Sequence, residues 1–137
     1  MVDKTRALGK IAELESYLAQ LKQIAPQTFE EYKKIEKMRS CERLLQLSIE
    51  CLIDICKLLV SGLKLGLPSE ENDLFQKLLN QNILPKDAVS ILQEMRAFRN
   101  ILVHEYATVD DALVFKKVKE GLGDFEIIKR ALLAAIQ

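Results

Sequence analysis

Apolar residues recur at spacings of three and four from the first turns of the chain. Leu8, Ile11, Leu14, Leu18, Leu21 and Ile24 form one stripe, the pattern of an amphipathic helix. Asp3 is placed to cap its start and Pro26 to stop it. Thr28 followed by Glu31 has the form of a capping box and opens a second segment, in which Phe29, Tyr32, Ile35 and Met38 keep the same period. From Leu44 to Val60 the pattern changes. Apolar residues fall on almost every side, and the polar ones reduce to Arg43, Gln46, Glu50, Asp54 and Lys57. A helix apolar nearly all round is buried, so this predicts the central element of a bundle or one that meets a second subunit.

Gly62, Gly66 and Pro68 in SGLKLGLP are stop signals. Ser69 and the acids after it open a short helix through Leu79, and NQNILP turns into the next, with Pro85 near its first position. Ala88, Ile91, Leu92, Met95, Phe98 and Leu102 form one face of that helix. Thr108 with Asp111 three residues later predicts a cap for the last segment, which carries Leu113 to Ile136 and which Gly121 and Gly123 kink or split. No stretch alternates with period two for long enough to be a strand. The expectation is all-α: an up-and-down bundle of about five helices in a single domain over residues 1–137.

Composition agrees, with 49% hydrophobic and 29% charged residues and only five Gly and three Pro in 137, which excludes a disordered or loop-rich chain. Twenty basic residues balance twenty acidic ones, so any binding to nucleic acid must come from a local patch rather than a global field. Cys41, Cys51 and Cys56 lie in the apolar run without CxxC spacing, as core cysteines of a reduced, cytoplasmic protein do. MVDKTRALGK lacks a signal-peptide core, and Asp54 and Lys57 interrupt CLIDICKLLV, so neither secretion nor a membrane span is expected.

Candidate chemistry is narrow. With one histidine and no cysteine pair the chain has no zinc motif, and it contains no GxxxxGK[ST], GxGxxG or GxSxG. No metal or cofactor is expected. What stands out is RNILVHEY, residues 99–106, which holds the sole histidine as Arg99-x4-His104-x-Tyr106 where the helical pattern runs out. These residue types suit cleavage of RNA by its own 2′-hydroxyl. Imidazole exchanges a proton near neutral pH. Guanidinium forks onto a phosphate as negative charge grows there, and a phenol adds a hydrogen bond. The nucleophile belongs to the substrate, so DNA is spared.

Five residues on a regular helix span about 140°, so an unbroken helix does not aim Arg99 and His104 at one atom. Either the helix ends or bends between them, or the site is assembled across a dimer, where two-fold symmetry brings two copies of His104 to one cleft. The alternative is structural: a lone histidine at a helix C-terminus that interacts favourably with the helix dipole.

Beyond this motif, ERLLQLSIECLIDICKLL (42–59), GLP (66–68) and MRAFRNILVHEYATVD (95–110) together resemble the HepT toxins, a branch of the HEPN superfamily. That resemblance spans most of the chain and is weakest over the first and last 25 residues. It implies a homodimeric, all-helical, metal-independent endoribonuclease, the toxin of a toxin–antitoxin pair, with Arg99 and His104 as catalytic pair in a dimer cleft. It also implies a partner antitoxin, the minimal nucleotidyltransferase MntA, that transfers AMP from ATP onto Tyr106. The bulk and negative phosphate so added would block an RNA phosphate at His104.

Three further groups bear on such a site. Arg43, Glu50 and Asp54 share a helix stripe that either lines the cleft or is a solvated, ion-paired face. Arg96 and Asn100 flank Arg99 and are either RNA contacts or surface residues. Lys116, Lys117 and Lys119 form a short basic cluster, read as solvated. Two rival functions fit the same fold: a non-catalytic binding subunit that serves a nucleotidyltransferase as substrate, and a dimeric scaffold.

Overall fold

The computed structural model describes residues 1–137. It contains seven α-helices and no strand: α1 (Lys4–Ile24), α2 (Phe29–Tyr32), α3 (Ile35–Gly62), α4 (Glu71–Asn80), α5 (Lys86–His104), α6 (Asp111–Glu120) and α7 (Leu122–Ile136). The expected stripe of α1 is buried from Ile11 to Leu21, and Asp3 caps it by accepting from the Arg6 amide at 3.1 Å. That stripe lies antiparallel along α3. Met1 meets Gly62, Lys10 meets Asp54, and the Lys37 ammonium donates to the Ile24 carbonyl at 2.7 Å.

Helix α3, with 28 residues and so about 42 Å long, is the axis of the bundle. It contacts α1, α2, α4, α5, α6 and α7, which is why its middle is apolar on almost every side. Leu52, Ile55, Cys56 and Leu59 are fully buried there. Ser48 is buried too, its hydroxyl satisfied by donating to the Leu44 carbonyl at 2.7 Å. All three cysteines are free and buried, as expected. Burial pushes the Cys51 thiol up to about 11 and the Cys56 thiol up to about 12. One continuous hydrophobic cluster joins α1, α3, α4, α5, α6 and α7.

The count of seven helices rather than about five has two causes. Near the N-terminus, the segment expected to run from Phe29 through Met38 breaks after Tyr32, and Ile35 is 60% exposed rather than on the apolar face. The break lets Phe29 and Tyr32 pack on Phe115 of α6, with ring centroids 5.7 and 5.8 Å from it. A tertiary aromatic contact overrides the local period there. Thr28 does cap α2, accepting from the Glu31 amide at 3.2 Å, while the Glu31 carboxylate accepts from the Gln27 amide.

Near the C-terminus, α6 and α7 are separate helices that meet at Gly121. The Gly121 amide closes α6 on the Lys117 carbonyl at 2.8 Å, and a Cβ there would sit 2.9 Å from that oxygen. The start of α6 also differs from expectation. Asp110, not Thr108, is its cap, accepting from the amides of Ala112 and Leu113 at 3.1 and 3.2 Å. Thr108 is engaged instead in a single 3-10 turn, Tyr106–Thr108, where its hydroxyl donates to the Glu105 carbonyl. Of the basic cluster, Lys117 lies over the Phe98 ring at 5.0 Å, whereas Lys116 and Lys119 are exposed. No helix is long and apolar enough to cross a membrane.

Candidate active site at the end of α5

Helix α5 places the motif. Ala88, Leu92, Met95, Phe98 and Leu102 turn inward, which leaves Arg96, Arg99, Asn100 and Val103 on the flank that faces α4 and the middle of α3. Together with His104 and with Glu50, Glu70 and Glu71 they line an open cleft of about 540 Å³. The helix continues without a break from Lys86 to His104 and ends there, the Glu105 amide donating to the Ile101 carbonyl at 2.9 Å. The helix therefore does not end between Arg99 and His104. Both still border the one cleft, because Arg99 has a long side chain and His104 stands at the helix terminus.

Arg99 is the most constrained residue of the cleft, its side chain only 12% exposed. Each of its three nitrogens is engaged. Nε donates to Asn100 Oδ1 at 3.0 Å, Nη1 lies 3.5 Å from Glu50 Oε2, and Nη2 pairs with Glu71 Oε1. The same Glu71 oxygen accepts from Arg96 Nε at 3.1 Å, and Gln46 Nε2 steadies Glu50 from the preceding turn of α3 at 3.3 Å. A positive fork is thus built at the junction of three helices and held in place by carboxylates.

His104 and Tyr106 differ sharply from it. His104 is exposed, and Tyr106, on the 3-10 turn beyond the helix, is 68% exposed. His104 is the last residue of α5 and the one basic side chain of its last turn. The catalytic and the capping readings are therefore compatible in one position. No group of three or more His, Cys, Asp or Glu is arranged to hold a metal ion.

Of the other residues expected near the site, Arg96, Asn100 and Glu50 are in the cleft. Asp54 and Arg43 are not. Asp54 pairs with Lys10 of α1 at 3.4 Å, and Arg43 borders a separate groove with Gln20 and Gln23 of α1. The α3 stripe is split by its neighbours: its middle faces α5, whereas Arg43 and Asp54 lean to the α1 side. Sequence reasoning missed Glu70 and Glu71. Their signal was the run SEEND at 69–73, read only as a helix opening.

Comparison with known proteins gives concordant results. The family model described as Ribonuclease HepT-like matches residues 14–132. A protein of Aphanizomenon flos-aquae named tRNA nuclease HepT is 30% identical over 117 residues, 85% of this chain and 80% of that protein. One of Shewanella oneidensis named mRNA nuclease HepT is 33% identical over 82 residues, 60% of this chain and 62% of that protein. Among solved structures, the tri-AMPylated HEPN toxin of Shewanella oneidensis in complex with MNT antitoxin superposes with a TM-score of 0.86 at 26% identity, over 98% of this chain and 99% of that one.

Proposed function

The chain belongs to the HepT-like ribonuclease family, and from that premise we propose that it is the endoribonuclease toxin of a toxin–antitoxin pair, acting in the cytoplasm as a homodimer. The observation that carries this reading is the convergence of Arg99 and His104 on one cleft. The RNA 2′-oxygen attacks the adjacent phosphorus, and the bond to the 5′-oxygen breaks. His104 exchanges the proton that leaves the 2′-hydroxyl or the one that the 5′-oxygen gains. Arg99 donates to the non-bridging oxygens as their charge grows. Each chain has one histidine, so acid and base are supplied by the two copies of His104 across a two-fold axis. Asn100 orients Arg99 from the next position in the helix.

Nothing in this scheme needs a metal ion, and its products carry a 2′,3′-cyclic phosphate and a 5′-hydroxyl. Purified protein incubated with total RNA in EDTA, beside its His104→Ala variant, tests it. Cuts by the parent alone, with cyclic-phosphate ends, are expected. Ends bearing 5′-phosphates, or a requirement for Mg²⁺, contradict it.

Tyr106 is the site at which a nucleotidyltransferase antitoxin silences the enzyme, by transfer of AMP from ATP with loss of pyrophosphate. Its exposure on a short turn two residues past His104 supports this assignment. A phosphodiester there brings negative charge and bulk to the mouth of the cleft. The mass of the protein after mixing with that partner and ATP is expected to rise by one or more adenylyl groups, and Tyr106→Phe is expected to stay unmodified at this position. An unmodified parent in a stable complex contradicts the assignment.

A further inference from the structure

Glu71 has no part in the scheme above, yet it pairs with both arginines of the cleft. It is the first residue of α4, and one of its oxygens accepts from guanidinium groups of two α5 residues, Arg96 and Arg99. Two arginines that converge on a single carboxylate oxygen present the donors that a non-bridging phosphate oxygen requires. We infer that Arg96 and Arg99 form one two-arginine phosphate seat, that Glu71 fills it in the free protein as a stand-in for phosphate, and that RNA enters by displacing this carboxylate. The inference rests on the ribonuclease reading for the identity of the ligand, but the seat itself rests on geometry.

Three features make Glu71 the carboxylate that yields. Its side chain is 25% exposed, so it can swing to water without opening the core. It stands in the first turn of α4, where the helix N-terminus stabilises a negative charge whether or not arginine is near. A phosphodiester carries the same single charge, so the exchange leaves the charge of the cleft unaltered. Glu50, by contrast, sits mid-helix in α3 at a longer 3.5 Å from Arg99 and is braced by Gln46. It remains as the positioning group that keeps Arg99 aimed once Glu71 has left.

The seat predicts a residue whose removal improves binding. Affinity is read with a fluorescent mixed-sequence 2′-O-methyl RNA 12-mer, which cannot be cleaved because it lacks free 2′-hydroxyls, as a function of salt. Glu71→Gln keeps the shape and replaces a charge-assisted competitor with a neutral one. It is expected to bind about five- to tenfold more tightly than the parent, and to show the gain in KM rather than kcat on cleaved RNA. Arg96→Gln is expected to weaken binding and to reduce the salt slope by about 0.7, the share of one phosphate contact to a single strand. In Arg99→Ala the Glu71→Gln gain should shrink to less than twofold.

Unchanged or weaker binding by Glu71→Gln, with Glu71→Ala behaving alike and both helical by circular dichroism, overturns the displacement. An unaltered salt slope in Arg96→Gln overturns the two-arginine seat. Failure of the parent to cut RNA would instead remove the ribonuclease reading, since the binding measurement needs no cleavage.

Discussion

The middle of α3 and the end of α5 lie side by side and are built on opposite terms. Around Leu52 to Val60 most side chains are buried, the polar exceptions are Asp54 and Lys57, and Ser48 one turn earlier has its partner within the helix. Around Arg96 to Tyr106 charge is concentrated, two guanidinium groups share a carboxylate, and the histidine and tyrosine stand in solvent. Hydrophobic burial fixes the first region without reference to any ligand. The second packs through its inner face and gathers its polar groups in the cleft and at the surface. Side-chain deletions should therefore separate stability from activity almost cleanly.

The largest effect on one side of that separation is expected from His104→Ala. Loss of the proton-transfer group is expected to lower RNA cleavage by about 10²–10⁴-fold, whereas the midpoint of urea unfolding should move by less than about 1 kcal/mol equivalent, the helix-dipole share. Arg99→Lys should also lose most of the activity, because an ammonium cannot reproduce the fork shared among Asn100, Glu50 and Glu71.

Leu52→Ala is the reverse experiment. It truncates a fully buried side chain on the bundle axis and is expected to cost about 2–5 kcal/mol in the same unfolding measurement, while cleavage per folded molecule stays near the parent value. A large fall in activity per folded molecule would show that the two regions are coupled.

Alkaline pH sharpens the comparison from the core side. Cys51 and Cys56 keep their protons up to about pH 11 and 12 in the folded chain, against an ordinary value of 9.0. Below pH 9 these thiols are neutral folded or unfolded and do not affect stability. Above it the unfolded chain ionises first and is favoured, so stability falls as pH rises from 9 towards those values. The slope approaches about 1.4 kcal/mol per pH unit for each thiol. Urea titrations at pH 8, 9.5 and 10.5 would show the decline, and Cys51→Ala/Cys56→Ala should make it shallower, the remainder coming from Cys41 and Tyr32, which burial also pushes up.

The smallest effect concerns Tyr32. Its ring is wholly buried against Phe29 and Phe115 but its hydroxyl has no hydrogen-bond partner. Tyr32→Phe should be neutral or stabilising by up to about 1 kcal/mol. A loss of more than that would reveal a partner for the hydroxyl in solution.

What the sequence disclosed follows the range of the interactions involved. The stripe of α1 and the buried character of α3 are local patterns of period and composition, and each was legible; at Gly121 and Gly123 the sequence left a kink and a split both open, and the structure shows a split at Gly121. Arg99, His104 and Tyr106 were singled out by residue type and spacing, and Asn100 and Arg96 by adjacency. The break at Tyr32 was not legible, since it depends on Phe115 of α6. Neither was Glu71, which meets Arg99 across 28 positions with no periodic trace in the chain. For Arg43 and Asp54 the helix stripe gave the correct face, but which neighbour would cover each end of it is set by how α1 and α5 pack.

In the proposed reaction the substrate's own 2′-hydroxyl is the nucleophile, with His104 in proton transfer and Arg99 on the phosphate oxygens. Once the cut site in total RNA has been mapped, a synthetic RNA spanning it and a twin with a single 2′-deoxy residue on the 5′ side of the cut should be compared in EDTA. Cleavage of the first to a 2′,3′-cyclic phosphate is expected, and none of the second at that linkage. Cleavage of the deoxy-substituted linkage would contradict the proposed reaction.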